Sequence, residues 1–189
     1  MIQHRAAISV RLTSGEDVEA EIVLHDEQDD WCVLKITAPS LPPLSIAPRN
    51  SLKSGAVVYC LGYPMDGILK SKEPVAGAGN IAALQGMRGD RSHIQVTIPI
   101  NPGNSGSPIV DEYGRWLALA SHRLNDMYSI IESGAIPQGL NFATKASVIE
   151  PLVDELNEIN LPRNSLEEKS TLEEIVSHCA DSIVFIVAE

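Results

Sequence analysis

Nine short segments with the residue pattern of β-strands run through most of the chain. In residues 7–13 and 18–25 apolar and polar side chains alternate, and Ser14 and Gly15 supply a turn between the two segments. Alternation with a period of two places one face of a strand on a core, so these segments predict a β-hairpin. The other segments with strand character follow in order: Trp31–Ile36, 56–61, 75–84, 93–98, 107–110, Trp116–Ser121 and 139–143.

A proline-rich segment divides these strands into two sets. Residues 37–54 contain four prolines, and proline cannot donate a hydrogen bond to a neighbouring strand. We therefore predict a connecting loop between two small antiparallel barrels, in an all-β fold whose helices lie only towards the C-terminus.

Two helices are predicted in that C-terminal part. Ser147 is placed to cap a helix that begins at residue 148, with Glu150 as its reciprocal partner. An apolar stripe with helical spacing should then pack on the sheets; it consists of Ile149, Leu152, Val153, Leu156 and Ile159. A polar linker covers residues 162–169. A second helix cap is then predicted at Ser170/Thr171 with Glu173/Glu174, and a final apolar strand at residues 183–187.

The composition excludes several classes of function. With 14 Lys and Arg against 25 Asp and Glu, the formal charge is −11, which repels the phosphates of nucleic acids and of anionic membranes. No apolar run reaches the roughly 18 residues needed to span a bilayer, and no signal peptide is visible, so a cytoplasmic location is the default expectation. The scattered cysteines Cys32, Cys60 and Cys179 predict buried reduced thiols, and no cofactor motif or metal cluster is visible.

Residues 100–110 carry the segment with the clearest chemical meaning. Ser105 stands between glycines in a tight turn ahead of a strand, a position from which its hydroxyl can point outwards. Glycine permits unusual backbone angles, so neighbouring N–H groups can converge on one point, which the intermediate of acyl transfer requires. A hairpin loop without chemistry has a similar composition and stays the alternative for these residues taken alone.

Several blocks together resemble the trypsin-like serine proteases, specifically their bacterial HtrA/Deg-type branch. Residues 101–108 (NPGNSGSP) resemble the nucleophile loop, and residues 26–36 are similar to the block that carries the catalytic aspartate. Residues 61–64 resemble the turn that opens the second barrel, and residues 139–143 with the following helix resemble the end of the protease domain. The resemblance covers residues 7–158 and implies a trypsin-like double β-barrel.

The resemblance implies a role for each matching residue. Ser105 would be the nucleophile, the backbone N–H groups of Gly103 and Ser105 would form the oxyanion hole, and Asp30 would orient the catalytic histidine. Asp29 is a competitor for that role, and an exposed acid at the start of a strand is the bland alternative. The specificity pocket would be lined by Ile100 and by Leu117, Ala118, Leu119, Ala120 and Ser121, which favours small or medium aliphatic side chains of the substrate.

The catalytic histidine of this family has no clear counterpart in the sequence. The family carries it ahead of a strand that resembles residues 7–13, so two strands of the first barrel are expected to be absent. His4 is nearest in order but lacks the preceding strand. The other histidines, His25, His93, His122 and His178, are expected to be structural or surface groups. The chain alone is therefore predicted to be nearly inert towards peptide bonds.

The C-terminal tail resembles the entry helix and first strand of a protease domain of the same branch. It could open a second, truncated unit, it could fill the vacant first-strand position in cis or in trans, or it could be an ordinary helix and strand. Open strand edges recruit other strands, so a homo-oligomer formed by strand exchange is one prediction. The predicted units are 1–54, a partial first barrel with Asp30; 55–160, the second barrel and closing helix with Ser105; and 161–189, the tail.

Two functions remain for such a chain. The first is a trypsin-like serine endopeptidase domain that acts on peptides or unfolded proteins and has lost its base. The second is a catalytically dead protease fold, a pseudoprotease that binds peptides or serves in assembly. Neither function needs a cofactor, a nucleic acid or a membrane.

Overall fold

The computed structural model describes residues 7–38, 41–64, 73–121, 141–156 and 166–188. These residues form ten strands and two α-helices, with short 3-10 turns at Met87–Gly89 and Ala180–Ser182. The strands are β1 (Ile8–Arg11), β2 (Asp17–Asp26), β3 (Trp31–Ile36), β4 (Val57–Gly62), β5 (Val75–Ala83), β6 (His93–Val96), β7 (Pro108–Val110), β8 (Trp116–Ser121), β9 (Asn141–Lys145) and β10 (Phe185–Ala188). The helices are α1 (Ala146–Asp154) and α2 (Leu172–Cys179).

The strands form one closed barrel and one smaller sheet, all with antiparallel pairing. The barrel has the order β4-β5-β6-β9-β8-β7, and the four-stranded sheet has the order β10-β1-β2-β3. This arrangement confirms the predicted all-β fold with two β units, of which the first is incomplete. Each strand predicted from alternation is present; residues 139 and 140 of the last one lie outside the described residues.

The barrel holds the main hydrophobic core. Its side chains are almost completely buried because every strand of the barrel is paired on both sides and turns one face inwards. Glycine is required at position 79, where an added Cβ would lie 2.8 Å from both the backbone nitrogen and Cγ1 of Ile98. Fully buried side chains of this core include Val58, Ile81, Ile94, Val96, Ile98 and Ile109.

The smaller sheet is less completely covered. Along β2 exposed and half-buried residues alternate without a fully buried one, so its apolar face has few neighbours. At the start of β3, by contrast, Trp31 is buried against Ile149 and Val153 of α1. The first part of the predicted apolar stripe, Ile149, Leu152 and Val153, therefore packs on the sheets. The helix ends at Asp154, before Leu156, and Ile159 lies outside the described residues.

The predicted N-cap of the first helix is wrong. The helix begins at Ala146, its N-cap position is Lys145, and no side chain caps it. Lys145 is also the last residue of β9 and is paired with Ala118, so the strand runs directly into the helix and leaves no residue for a capping loop. Ser147 consequently lies inside the first turn. The second cap is confirmed, because Thr171 and Glu174 form a complete capping box at the start of α2.

The tail fills a strand position of the first sheet in cis. Strand β10 pairs with β1, with Ile8 opposite Ala188 and Val10 opposite Ile186. Helix α2 packs on the outside of the barrel, where Ile175 and Cys179 are completely buried. The tail therefore connects the two β units, as one of the predicted alternatives requires. Exchange of this strand between copies and the limits of the three units stay predictions.

Candidate active site

The loop of residues 101–107 presents Ser105 at its exposed tip. The amide of Asn104 donates to the carbonyl of Asn101 at 2.9 Å, and that of Ser107 donates to the carbonyl of Asn104 at 2.9 Å. Gly103 lies within the first of these turns and Gly106 within the second; their φ values of 95° and 83° belong to the left-handed region that favours glycine. The glycines flanking Ser105 are therefore required by the backbone.

Two amides of this loop are available for an acceptor. Among the described residues, no hydrogen bond uses the N–H of Gly103 or of Ser105, whereas the N–H groups of Asn104 and Gly106 are both engaged. Gly106 donates to the carbonyl of Ala120, and Ala120 donates to the carbonyl of Ser107, each at 2.9 Å. Strand β8 thus fixes the loop, while no described residue accepts a hydrogen bond from either predicted oxyanion donor.

The end of β4 packs closely against the serine loop, where Gly62 lies next to Ser107. A Cβ atom added to Gly62 would lie 1.9 Å from Oγ and 2.8 Å from Cβ of Ser107. The buried Ser107 hydroxyl also meets the thiol of Cys60, although burial dominates and raises the pKa of that thiol to about 12. The Ser107 side chain therefore occupies the space that a side chain at Gly62 of β4 would need.

We expect the substitution Gly62→Ala to destabilise the protein and displace the loop. Overpacking of this kind costs about 1–3 kcal/mol in free energy of unfolding, and here backbone movement is the main way to relieve it. The double variant Gly62→Ala/Ser107→Gly removes both atoms that clash, so Gly62→Ala should cost less stability in the Ser107→Gly background than in the native chain. Urea unfolding of the four proteins measures this; additive losses in the double variant would contradict the close contact.

The β2–β3 turn carries the two candidate acids. The Asp26 carboxylate accepts hydrogen bonds from the amides of Gln28 (2.8 Å) and Asp29 (2.9 Å). Asp30 follows with a φ of 54° and is exposed, in a conformation that aspartate tolerates better than most residues. Asp29 is half-buried, and its carbonyl accepts a hydrogen bond from the Thr144 hydroxyl at 3.3 Å.

Strand register relates this turn to the serine loop. Thr144 pairs with Leu119, and Leu119 pairs with Pro108, which begins the strand that follows Ser105. Two strand spacings correspond to about 10 Å, so the Thr144 backbone lies roughly that far from Pro108. Thr144, which contacts the turn that carries Asp29 and Asp30, thus lies two strands away from the strand that follows Ser105.

The histidines do not complete a triad within the described residues. Within the described residues the Ser105 hydroxyl has no imidazole as a hydrogen-bond partner, and His4 and His122 lie outside these residues. His93 is 3% exposed and bonds to Asp90 and Thr144. His25 lies exposed on β2, and His178 packs on Gly114.

Most of the predicted pocket residues form part of the barrel core. Ile100, Leu117, Ala118 and Ala120 are buried there together, and Ser121 is buried at the end of β8. Leu119 points to the other face of β8 and packs in the cluster of Trp31, Ile149 and Val153. Alternation along the strand separates Leu119 from Ala118 and Ala120, and the register shift between β7 and β8 leaves Leu117 as an extra residue on the core side. Residues 122–140, which follow β8, lie outside the described residues.

Metal chemistry has no candidate ligand set in the described part of the chain. No group of three His, Cys, Asp or Glu side chains could hold an ion there. The three cysteines are all unpaired thiols, and burial raises the pKa of Cys179 to about 11. They are therefore protonated at neutral pH and do not act as nucleophiles.

Comparison with known proteins identifies the family. Residues 3–119 match the family model of the trypsin-like peptidase domain. The chain belongs to this family of trypsin-like serine proteases, and its relatives place it in the HtrA-type branch.

Two relatives illustrate the match. "Uncharacterized protein y4bJ" of Sinorhizobium fredii is 31% identical over 147 residues, which cover 78% of this chain and 23% of that protein. A protein of Halomonas elongata named "Probable periplasmic serine endoprotease DegP-like" is 32% identical over 152 residues, which cover 79% of this chain and 30% of that protein. This chain thus spans less than a third of each of these two relatives.

A solved structure shares the fold. The structure named "HtrA-type protease AlgW with decapeptide" superposes with a TM-score of 0.65 at 24% identity, and covers 82% of this chain and 46% of that one. At this level of identity the likeness concerns the fold.

The location expected from the sequence is not supported by these relatives. The DegP-like protein is named periplasmic, which gives no support to the default cytoplasmic expectation. Within the described ranges, every helix is too short or too polar to cross a membrane.

Proposed function

We propose that this chain is a serine endopeptidase domain of the HtrA type in which Ser105 is the nucleophile and which is nearly inert without a base. The observation that carries this proposal is the geometry of the serine loop. Ser105 is exposed on a loop that β8 fixes to the barrel, and among the described residues no hydrogen bond uses the N–H of Gly103 or of Ser105.

The chemistry follows from that geometry. Attack of the Ser105 oxygen on a peptide carbonyl moves negative charge onto the carbonyl oxygen. The N–H groups of Gly103 and Ser105 would donate to this oxygen and stabilise the tetrahedral intermediate. Asp30 is the proposed orienting acid because it lies exposed on a turn next to β9, with Asp29 as the alternative.

The proposed inertness rests on the state of the serine hydroxyl. A serine is a weak nucleophile at neutral pH unless a neighbouring base takes its proton. Among the described residues, His93 is the most deeply buried histidine. Both of its ring nitrogens are hydrogen-bonded, one to Asp90 and one to Thr144, so neither is free to act as a base for Ser105.

The second candidate function is peptide binding without hydrolysis. The AlgW neighbour is named as a complex with a decapeptide, and peptide or unfolded protein is the proposed ligand here too. In the described part, the smaller sheet ends at β3 and at β10, so either edge could receive an extended peptide or a strand from a second copy. Gel filtration at high concentration tests the exchange between copies, which a monomer would contradict.

A fluorophosphonate probe separates the two functions. We expect slow but specific labelling of Ser105 by the endopeptidase fold, because the oxyanion donors also stabilise the tetrahedral phosphonate. Mass spectrometry locates the label, and Ser105→Ala is the matched control in which it should vanish. No labelling of the folded protein under conditions in which trypsin reacts would overturn the endopeptidase proposal and favour the binding module.

A further inference from the structure

A buried chain of polar groups joins the barrel to the turn that carries the candidate acids. His93 Nδ1 lies 2.5 Å from the Asp90 carboxylate, and His93 Nε2 lies 3.2 Å from the Thr144 hydroxyl. The same hydroxyl donates to the Asp29 carbonyl at 3.3 Å. His93 and Thr144 are 3% and 2% exposed, so water cannot readily replace either bond.

The number of protons shared among these hydrogen-bonded groups determines the charge of the His93 imidazole. The Thr144 hydroxyl has one proton, so with a two-centre bond to the Asp29 carbonyl it can only accept from His93 Nε2–H. Burial raises the pKa of Asp90, but hydrogen bonds from the Ser92 amide and from His93 outweigh this and hold that pKa below its usual value. Asp90 is therefore ionised and requires a proton on Nδ1 as well. All three bonds exist together only when His93 carries both protons.

We propose that His93 and Thr144 are positioning residues that hold the β2–β3 turn, and with it Asp30, in place while His93 is protonated. The inference concerns the candidate acid and so rests on the proposed function. Loss of the Nε2 proton turns Nε2 into an acceptor. The Thr144 hydroxyl then donates to Nε2, and the Asp29 carbonyl loses its donor.

The charged groups around the His93 imidazole influence how readily it loses the Nε2 proton. Asp90 contacts it directly from the β5–β6 connection, and Asp29 and Asp30 lie on the turn beyond Thr144. Lys145 of β9 donates to the carbonyl of Arg91. Burial lowers the pKa of Lys145, and the negative charge of Asp90 opposes this with a smaller effect. Within the described residues, Asp90 is the one charged group bonded to the ring.

Hydrogen exchange of the turn amides measures the proposed coupling. The amides of Gln28 and Asp29 are protected by Asp26, and they become exposed when the turn opens. We expect their protection to fall by about tenfold as His93 loses its proton, since one buried hydrogen bond is lost. The ring nitrogen and carbon shifts of His93 follow the titration in the same samples.

Two variants separate this role from simple packing. Thr144→Val keeps the shape of the side chain without the hydroxyl, so protection of both turn amides should be low and independent of His93. Thr144→Ser restores the hydroxyl and should restore both the protection and its pH dependence. Unchanged protection of the β4 amides in all variants is the control for global unfolding.

Two results would overturn the proposal. One is turn protection in the native chain that does not follow the His93 titration, and the other is an imidazole that is neutral while the turn is protected. Both are measured without substrate, so they are independent of Ser105. If the turn behaves as expected and Ser105 does not react with the fluorophosphonate, the proposed function fails and the coupling between His93 and the turn stands.

Discussion

Replacement of Ile175 by alanine is expected to lower the free energy of unfolding by about 2–5 kcal/mol, the range for truncating a fully buried aliphatic side chain. Ile175 is 0% exposed and lies in a cluster that joins α2 to the outside of the barrel. Its neighbours there include Tyr59, Leu61, Tyr63, Val110, Cys179 and Ile183. Urea unfolding monitored by circular dichroism measures the change.

Ile186→Ala is the matched control in the same tail. Ile186 is 43% exposed on β10, so the same substitution there should have a much smaller effect on the free energy of unfolding. A loss at Ile175 no larger than that at Ile186 would contradict docking of the tail on the barrel. The measurement should be repeated at several protein concentrations, because docking in cis predicts no dependence on concentration.

Docking of the tail also stabilises the hairpin that follows the serine loop. Asp111 organises the β7–β8 turn by accepting from the amides of Tyr113 and Arg115. The amides of Leu166 and Ser170 in the tail donate hydrogen bonds to backbone carbonyls of this turn. Lys169 also forms an ion pair with Glu112 at 2.6 Å, but an exposed ion pair contributes little to stability. The helix packing, more than the surface charge, therefore holds the tail against the β7–β8 turn.

The strands were predictable because their signal is local. Alternation at β2 and the apolar run at β3 each depend only on neighbours in sequence, and Trp31–Ile36 was predicted to the residue. The helix start at Ala146 was missed because pairing of Lys145 in the sheet, a tertiary effect, outweighed the capping signal of Ser147. Local signals therefore located the elements, but the sheets determined where they end.

The contacts between distant residues were not predictable in the same way. His93 and Thr144 are 51 positions apart, and only the pairing of β6 with β9 brings them together. The nearest sequence signal was Asp90, three positions before His93. The tail left several alternatives open for the same reason, since its cis pairing with β1 joins opposite ends of the chain. In contrast, the serine loop was found because its glycines lie next to Ser105.

Hydrolysis of peptide substrates by the chain alone is expected to be about 10⁶-fold slower than by a protease with a complete triad, the size of the loss when the catalytic histidine of such an enzyme is removed. Oxyanion stabilisation alone should leave a residual rate above that of water. Added imidazole can accept the Ser105 proton from solution, so we expect it to raise the residual rate in proportion to its concentration. A fluorogenic peptide and product analysis by mass spectrometry measure the rate.

Two variants make this expectation specific. In Ser105→Ala neither the residual rate nor its acceleration by imidazole should remain. Asp30→Asn should lower the rate of the chain alone very little, because an orienting acid acts through a histidine that is bonded to it. A rate near that of a complete triad without imidazole would mean that a base already reaches Ser105, and His122, which directly follows β8, would be the first residue to replace.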